Sequence, residues 1–558
     1  MLVLIKKKGD FILRPKLFTT LKDYSRQSFF KDLSAGIIVG IIAIPLSIAL
    51  GVASGVPIEM GLVTAIVAGF FISLLGGSRV QIGGPTGAFV VIVYGIVAQH
   101  GIQGLVLATI MAGLIMILLG VLKLGTFIQF IPYPITTGFT TGIAFTIFST
   151  QLKDFFGLTM TEVPSETVPK YIAYFNALDT INWTSLIVGV LAILIILYWP
   201  KINQKIPGSL IAIIFTTIIV SVFKLNINTI GSQFGAVGSP IPHFQMPIFN
   251  LDMIQSLIQP AITIALLASI ESLLSAVVAD GMIGDKHDSN MELVAQGFAN
   301  IASGFLGGIP ATGAIARTAA NIKNGGRTPI AGIVHTLTVL AAMVIFMPLV
   351  KLIPMTTLAA ILIVVAYNMS EIHRFVGLFK STKSDIAILL ITFLLTVFMD
   401  LVVAIEVGMV LAALLFMKRM ADVTEVGSIE KMLHERYSES AHIRKTLMDK
   451  DILFYQIKGP FFFGAASKFV DTIDEINIRP RTLVLKMKDV SVMDATGFNA
   501  LKIIQKRCEN HSVRLILTNV QRQPYELMRK DGFVEKIGER NIFKNIDLAL
   551  KDLTSKAS

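Results

Sequence analysis

The chain of 558 residues is poor in several things, and each scarcity excludes something. It has one cysteine, Cys508, so an intramolecular disulfide and a cysteine-built zinc site are both excluded. Only 15% of its residues are charged, against about 25% in soluble domains. Its histidines His243, His335 and His373 are scattered and lack the spacing of metal ligands. His287, within Gly284-Asp285-Lys286-His287-Asp288, reads as a loop residue rather than a ligand. No phosphate loop of the G-x-x-x-x-G-K-[ST] type is present, so nothing points to ATP hydrolysis or to an enzyme. The net charge of +11 comes without a basic patch carrying stacking or base-reading groups, which argues against nucleic acid. The excess Lys and Arg is instead expected on cytoplasmic loops. The basic N-terminus, with Lys6, Lys7 and Lys8, has no apolar core and cleavage site behind it, so no signal peptide is expected.

What is abundant is apolar sequence, 53% of the chain, in runs long enough to cross a bilayer. The charged residues between these runs set the orientation. Spans are expected near 34–54, 58–76, 102–122, 134–151, 183–199 and 208–223, with a short element after Pro85. A second set follows near 256–280, 290–306, 328–350, 355–370, 385–400 and 402–418, with a short element after Pro310. Each half therefore holds seven elements, and an odd number inverts one half relative to the other. Lys22, Arg26, Lys31, Lys201, Lys205, Lys286, Lys323, Arg327, Arg374, Lys380, Lys383, Lys418 and Arg419 then all fall on one side, the cytoplasm. Both termini are expected there, in a multi-pass protein of the cytoplasmic (inner) membrane.

Each half also contains one short phrase. The first is Gly83-Gly84-Pro85-Thr86-Gly87-Ala88, and the second is Gly307-Gly308-Ile309-Pro310-Ala311-Thr312-Gly313-Ala314. The helical runs behind them, Phe89 to Ala98 and Ile315 to Ile322, are too short to span. Gly and Pro release the backbone, and Thr is expected to cap the helix that follows. Unwound backbone at membrane depth is tolerated only within protein or along a watery cavity. A pair of such broken segments in matching halves marks a transporter's binding site. Two half-helix N-termini would offer free N–H groups and positive dipole ends, a site for an anion.

The character changes after the last span. Residues 1–33 form a cytoplasmic segment, 34–420 the membrane domain and 421–449 a charged linker expected to be helical. Residues 450–555 alternate strands (Ile452–Ile457, Thr482–Met487, Val513–Leu517) with helices, a small α/β domain.

These stretches resemble the SulP anion transporters. The resemblance is carried by Ala35 through Ser47, by Gly76-Gly77-Ser78-Arg79 with the first phrase, by Ile270-Glu271-Ser272-Leu273-Leu274 through Asp280-Gly281-Met282, and by Pro310 through Thr318. The C-terminal part is similar to a STAS domain, a pairing typical of the family. The look is nearest to bacterial aerobic C4-dicarboxylate transporters, with bicarbonate and sulfate transporters behind. The resemblance implies an α-helical polytopic protein of 14 membrane segments in a 7+7 inverted repeat, uracil-permease-like. Core and gate domains and a homodimer are implied with it. It also implies proton-coupled uptake of a C4-dicarboxylate such as succinate, with no cofactor beyond protons or sodium.

Glu271 lies within an apolar span, where a carboxyl is costly and functional by default. Burial favours the neutral carboxyl, so proton loading is expected at Glu271. Sodium-coupled relatives carry Asp at this position, and Ser275, one turn on, matches a position that assists sodium. A structural carboxylate is the alternative for Glu271. Arg317 matches the arginine of this segment in the family; it either offsets a bound anion or points to the cytoplasmic interface beside Lys323. The resemblance puts Pro45, Leu46, Ser47 and Leu50 around the substrate, with backbone from Thr86, Gly87, Ala88, Gly313, Ala314, Ile315 and Ala316. Animal members have glutamine at the position of Leu46 and an aromatic at that of Thr86, so this site is expected to be roomier. Asp400 and Glu406 read as turn and helix-start residues. In Asp494-Ala495-Thr496-Gly497, Thr496 matches the hydroxyl phosphorylated in anti-anti-sigma relatives, with a simple helix cap as the alternative. Acyl carrier protein is a plausible partner of this domain by the same resemblance. Two rivals stay open: a membrane receptor or scaffold signalling through the STAS part, and a channel-like conductor.

Overall fold

The computed structural model describes residues 14–126, 132–160, 164, 166–203, 206–234, 244, 246, 250–399, 401–429, 452–474 and 480–555. Asp400 and His243 lie outside them. The chain divides into two units, Met1–Met409 and Val410–Ser558.

The first unit is helical. Its elements are α1 (Lys16–Thr20), α2 (Arg26–Ala53), α3 (Ile58–Leu75), strand β1 (Gly83–Gly84), α4 (Val90–Val121), α5 (Tyr133–Phe156), α6 (Thr167–Asn176), α7 (Trp183–Ile202), α8 (Gly208–Val222) and α9 (Ile230–Phe234). The second half follows with α10 (Leu251–Ile283), α11 (Ser289–Phe305), β2 (Thr312–Gly313), α12 (Ile315–Lys323), α13 (Pro329–Val350), α14 (Met355–Met369), α15 (Ile372–Leu378), α16 (Lys383–Phe398) and the start of α17 (Leu401–Val423), whose residues from Val410 on belong to the second unit. Among the described residues, seven helices are long and apolar enough to cross a membrane by length and composition. Helices occupy the fourteen expected segment positions. The element after Pro85 begins as a single 3-10 turn, Gly87–Phe89, and continues into α4. At Gly101, with φ 67°, the helical path breaks, which separates the short half-helix from the full span behind it.

Polar residues start these helices. Ser25 caps α2, Asn182 caps α7, Asn250 caps α10, Asp288 caps α11 and Thr328 caps α13, each side chain accepting first-turn N–H groups. Left-handed glycines end two of them, Gly157 after α5 and Gly284 after α10.

The helices sort into two packed groups. Helices α2, α3, α4, α10, α11, α12 and α13 form one, the core. Helices α5, α7, α8, α14 and α16 form the other, the gate, and Gly408 of α17 packs against Thr392 and Ile135 of it. Each group draws on both halves of the sequence, as an inverted repeat requires. In the core, α4 and α11 touch backbone to backbone. A Cβ on Gly113 would lie 2.6 Å from the Gly297 carbonyl oxygen, and one on Gly297 would lie 2.5 Å from that of Gly113. Small residues at such crossings are how membrane helices gain close packing without a hydrophobic driving force.

The second unit contains a five-stranded sheet of order β3 (Glu425–Ser428), β4 (Ile452–Lys458), β5 (Thr482–Asp489), β6 (Arg514–Thr518), β7 (Ile542–Phe543). Strand β3 runs antiparallel to β4 and the others are parallel. The helices are α18 (Phe463–Asp474), α19 (Ala495–Asn510), α20 (Arg522–Lys530), α21 (Phe533–Ile537) and α22 (Ile546–Ser555). Strand β5 opens with the apolar run Leu483-Val484-Leu485 because both its faces are covered there. Leu483 and Leu485 pack with Phe469, Leu501 and Ile504 on one face, while Val484 packs with Ala549 and Leu550 on the other. The linker expectation needs one correction. Residues 425–428 are an edge strand, not helix, because Val426 and its neighbours pair with β4. Residues 430–449 of the linker lie outside the described ones.

Candidate anion site

The two phrases meet. Strand β1 pairs antiparallel with β2, Gly83 opposite Gly313 and Gly84 opposite Thr312, and the Ala314 N–H extends the ladder to the Ile82 carbonyl at 2.9 Å. A two-stranded sheet of two residues a side is not stable by itself. It is held by polar side chains from the surrounding spans. The Thr64 hydroxyl accepts from Ile309 N at 2.7 Å. Asn300 brackets Ala311, donating to its carbonyl and accepting from its N–H, both at 2.9 Å. The Thr312 hydroxyl donates to the Ala268 carbonyl at 2.8 Å. The Gln81 amide donates to the Ser272 carbonyl at 3.0 Å and accepts from Ser275 Oγ at 3.1 Å. The Thr318 hydroxyl accepts from Ile82 N at 3.0 Å. These bonds satisfy backbone that has left helical geometry at membrane depth.

Both half-helices start beside this sheet. Helix α12 has Ala314 at its N-cap and no side-chain cap, so its first-turn N–H groups are left for another acceptor. Ile315 and Ala316 at that end are exposed, while Arg317 is 2% exposed. Thr86 does not cap the first half-helix as expected. Its hydroxyl donates to Glu271 Oε2 at 3.0 Å, a bond that turns the side chain toward α10 and not onto the first-turn N–H groups. Two uncapped helix starts therefore flank one carboxyl group.

Arg317 is turned toward the first phrase. Its Nη2 donates to the Pro85 carbonyl, and Nη1 would lie 2.3 Å from a Cβ placed on Gly84. Gly84 has φ +152° and leaves the space in which the guanidinium sits. The Arg317 charge acts electrostatically on Glu271, yet among the described residues no ion pair joins the two. Nε and Nη1 of Arg317 are buried without a hydrogen-bond partner. The interface alternative for Arg317, beside Lys323, is not what the fold builds.

The remaining predicted residues separate. Leu46 is partly buried and near the packed core, whereas Pro45, Ser47 and Leu50 are buried within it. Gly87, Ala88, Gly313 and Ala314 are buried in the sheet and the turn behind it. The Ser275 hydroxyl is committed to Gln81 and Thr318. Glu406 is exposed on α17. His287 lies in the α10–α11 loop, bonded to Asp280 at 2.7 Å and Ser289 at 3.0 Å. Among the described residues no group of three His, Cys, Asp or Glu is arranged to hold a metal. In the second unit, α19 is capped by Asp494, whose Oδ1 accepts from Gly497 N at 2.7 Å. Thr496 is therefore not the cap and stands exposed in the first turn.

Gln81, Thr64 and Asn300 were not singled out by sequence reasoning, and Thr312, read there as a helix cap, bonds the Ala268 carbonyl instead. Their signal was available: each is a polar residue in or beside an apolar span, where polarity needs a partner. Glu292 is a further case. It is fully buried on α11 and accepts from the N–H groups of Gly77 and Ser78 at 2.9 and 3.1 Å, fixing the end of α3.

Helices of membrane length and two broken segments paired with each other are the architecture of a membrane transporter. The sequence comparisons give its family. The description "Sulfate permease family" matches residues 29–392, and "STAS domain" matches residues 445–549. The chain is 41% identical over 528 residues to "Putative sulfate transporter YvdB" of Bacillus subtilis (strain 168), covering 94% of this chain and 98% of that one. It is 32% identical over 460 residues to "Bicarbonate transporter BicA" of Picosynechococcus sp., covering 78% and 79%. Among solved structures, the transmembrane domain of a cyanobacterial BicA superposes with a TM-score of 0.60 at 29% identity, over 70% of this chain and 98% of that one. Murine Slc26a9 in an inward-facing state shares the fold with a TM-score of 0.85 at 18% identity, over 99% and 97%. The chain belongs to the sulfate permease family: it is a SulP anion transporter with a C-terminal STAS domain, and not an enzyme.

Proposed function

We propose that the protein is a proton-coupled anion symporter in which Glu271 carries the proton and the starts of the two half-helices hold the anion. The observation that carries this reading is the placement of one carboxyl and one unpaired guanidinium at the same pair of helix starts. With Glu271 ionised, the Arg317 charge is largely offset. With Glu271 protonated, one positive charge is uncompensated beside free N–H groups, and anion affinity rises. Binding of proton and anion are then mutually favourable, which is the thermodynamic content of symport. The Thr86 hydroxyl serves either state, donating to the carboxylate or accepting from the acid.

The substrate of this reading is a C4-dicarboxylate such as succinate. It is supported by the resemblance; the smaller side chains at Leu46 and Thr86 suit an anion larger than chloride and do not choose between a dicarboxylate and sulfate. Sulfate and bicarbonate form the second reading, supported by the names of the relatives. Sodium in place of the proton belongs to that second reading. We further propose a homodimer in the cytoplasmic membrane with both termini in the cytoplasm. The STAS domain is proposed as the docking surface for a cytoplasmic protein such as acyl carrier protein, and Thr496 as an accessible hydroxyl for modification.

The test is uptake of labelled succinate, sulfate and bicarbonate into proteoliposomes, with and without an inward proton gradient, for wild type and Glu271→Gln. Gradient-driven accumulation of succinate by wild type is expected. In Glu271→Gln the gradient should no longer drive accumulation, while anion-for-anion exchange persists. Sodium-dependent uptake that favours bicarbonate would overturn both the substrate and the coupling ion. Binding without any flux would make the protein a receptor.

A further inference from the structure

His335 is the least expected residue near the site. It sits on α13, 0% exposed, and neither ring nitrogen has a hydrogen-bond partner. Buried imidazole nitrogens are nearly always bonded, because an open one has given up its hydrogen bond to water without a replacement. The ring lies behind the two-stranded sheet. The position a Cβ on Gly69 would take is 3.2 Å from the Gly83 carbonyl oxygen and 3.6 Å from His335 Cε1. The next residue, Gly84, carries Arg317 against its Cα side. His335 and Arg317 thus back onto consecutive residues of β1, and the Arg317 charge acts on the ring. Arg317 in turn has Nε and Nη1 open. Two donors and one acceptor-capable ring, all buried and all lacking a bond, share one region of the core.

We propose that His335 is a positioning residue of the anion site, joined to Arg317 through a buried water that accepts from the guanidinium and donates to the ring. This rests on the anion reading of Arg317 given above. A water needs two to four polar partners to be held in a protein interior, and this region supplies them. The arrangement has a specific consequence. A carboxylate in place of His335 would satisfy the same donors but cancel the charge. A neutral imidazole satisfies them and leaves the charge for substrate. His335 holds Arg317 against Pro85 without neutralising it.

The test measures anion-for-anion exchange by the full-length protein in proteoliposomes, so proton coupling does not enter. His335→Leu is expected to raise the KM for the anion by about 10-fold or more, with maximal rate nearly unchanged. His335→Gln, which keeps polar atoms, should restore KM to within about threefold of wild type. In an Arg317→Gln background, His335→Leu should add nothing, because the two act as one unit. If His335→Leu cannot be purified, His335→Met takes its place, since its flexible chain fills irregular core space. An unchanged KM in the apolar variant overturns the proposal. So does an equal further loss in the Arg317→Gln background, which marks His335 as independent packing. If Arg317→Gln itself leaves KM unchanged, the anion site is wrong, and that failure is separate from this one.

Discussion

Replacement of Gly313 by alanine would test the sheet that joins the two halves. The backbone there is not left-handed, so alanine meets no conformational penalty. What it meets is Gln81. The new Cβ would lie 1.7 Å from Gln81 Nε2 and 2.5 Å from Cδ, so the amide must leave. Its departure breaks the bond to the Ser272 carbonyl and the bond from Ser275. Overpacking costs about 1–3 kcal/mol. Leaving buried polar groups open adds on the order of 1–3 kcal/mol. The sum, roughly 2–6 kcal/mol, reflects two costs with different cures. Gln81→Ser in the Gly313→Ala background removes the clash and leaves a hydroxyl near Ser275, and it should recover part of the loss. The assay is thermal melting of the purified protein together with exchange in proteoliposomes. Gly313→Ala alone should lower the melting temperature and reduce exchange by at least about 10-fold. Gly281→Ala, with nothing within 4 Å of its Cβ, is the control and should be silent. A neutral Gly313→Ala, or a double variant as damaged as the single one, would refute the idea that Gln81 fills the space beside Gly313.

Two further outcomes concern the STAS domain. Asp494 caps α19 through Gly497 N and also accepts from Phe463 N at 3.1 Å, the first residue of α18. Asp494→Ala should therefore speed hydrogen exchange at both amides by about 10-fold, the equivalent of about 1.4 kcal/mol for lost caps; no change at Phe463 would contradict the shared cap. Cys508 is buried, and burial followed by the Glu509 charge pushes its thiol up to about 11. Because the thiolate is the reactive form, alkylation of the native protein near pH 8 should run at least about 100-fold slower than in denaturant, rising as pH approaches 11. Fast labelling of the native protein would contradict that burial.

The membrane part was legible because its signals are long. A run of apolar residues bounded by Lys and Arg needs only composition to be read, and α2, α3, α7 and α10 lie within a few residues of the expected spans or extend them by a turn or two at one end. The half-helices were legible for the opposite reason. Gly83-Gly84-Pro85 and Gly307 to Gly313 interrupt the apolar pattern where interruption is costly. What could not be read was which donor each loose backbone group would find. Thr86 looked like a cap from its place before Gly87, but the rotamer a cap needs competes with the one that takes the hydroxyl proton to an acceptor that tertiary folding brings near. Glu271, 185 residues away, is that acceptor. Gln81 is a similar case, since a single amide two residues before a Gly-Gly pair has no local pattern. Strand β3 failed for a third reason. Of its four residues only Val426 is a strand former, the others are exposed, and pairing with β4 is what makes them a strand.

The two phrases explain each other once the sheet is seen. A transporter of this kind needs its two half-helices to move as one, or the anion would be released whenever they parted. The hydrogen bonds between β1 and β2 supply that tie, and they make the site depend on both halves at once. The same tie sets where charge can be placed. Arg317 belongs to the second half and bonds the first at Pro85, while Thr86 of the first half bonds Glu271 of the second. Protonation of Glu271 therefore alters a bond that crosses between the halves, not one confined to a single helix. In the proposed symport, with the core moving past the gate as a unit, the proton state is carried with the anion and is read at the same place on either side. A coupling group on a gate helix would lack that property, since gate and site would separate in every cycle. This is the physical reason to look for the coupling group at Glu271 and not among the polar residues of α5 or α16.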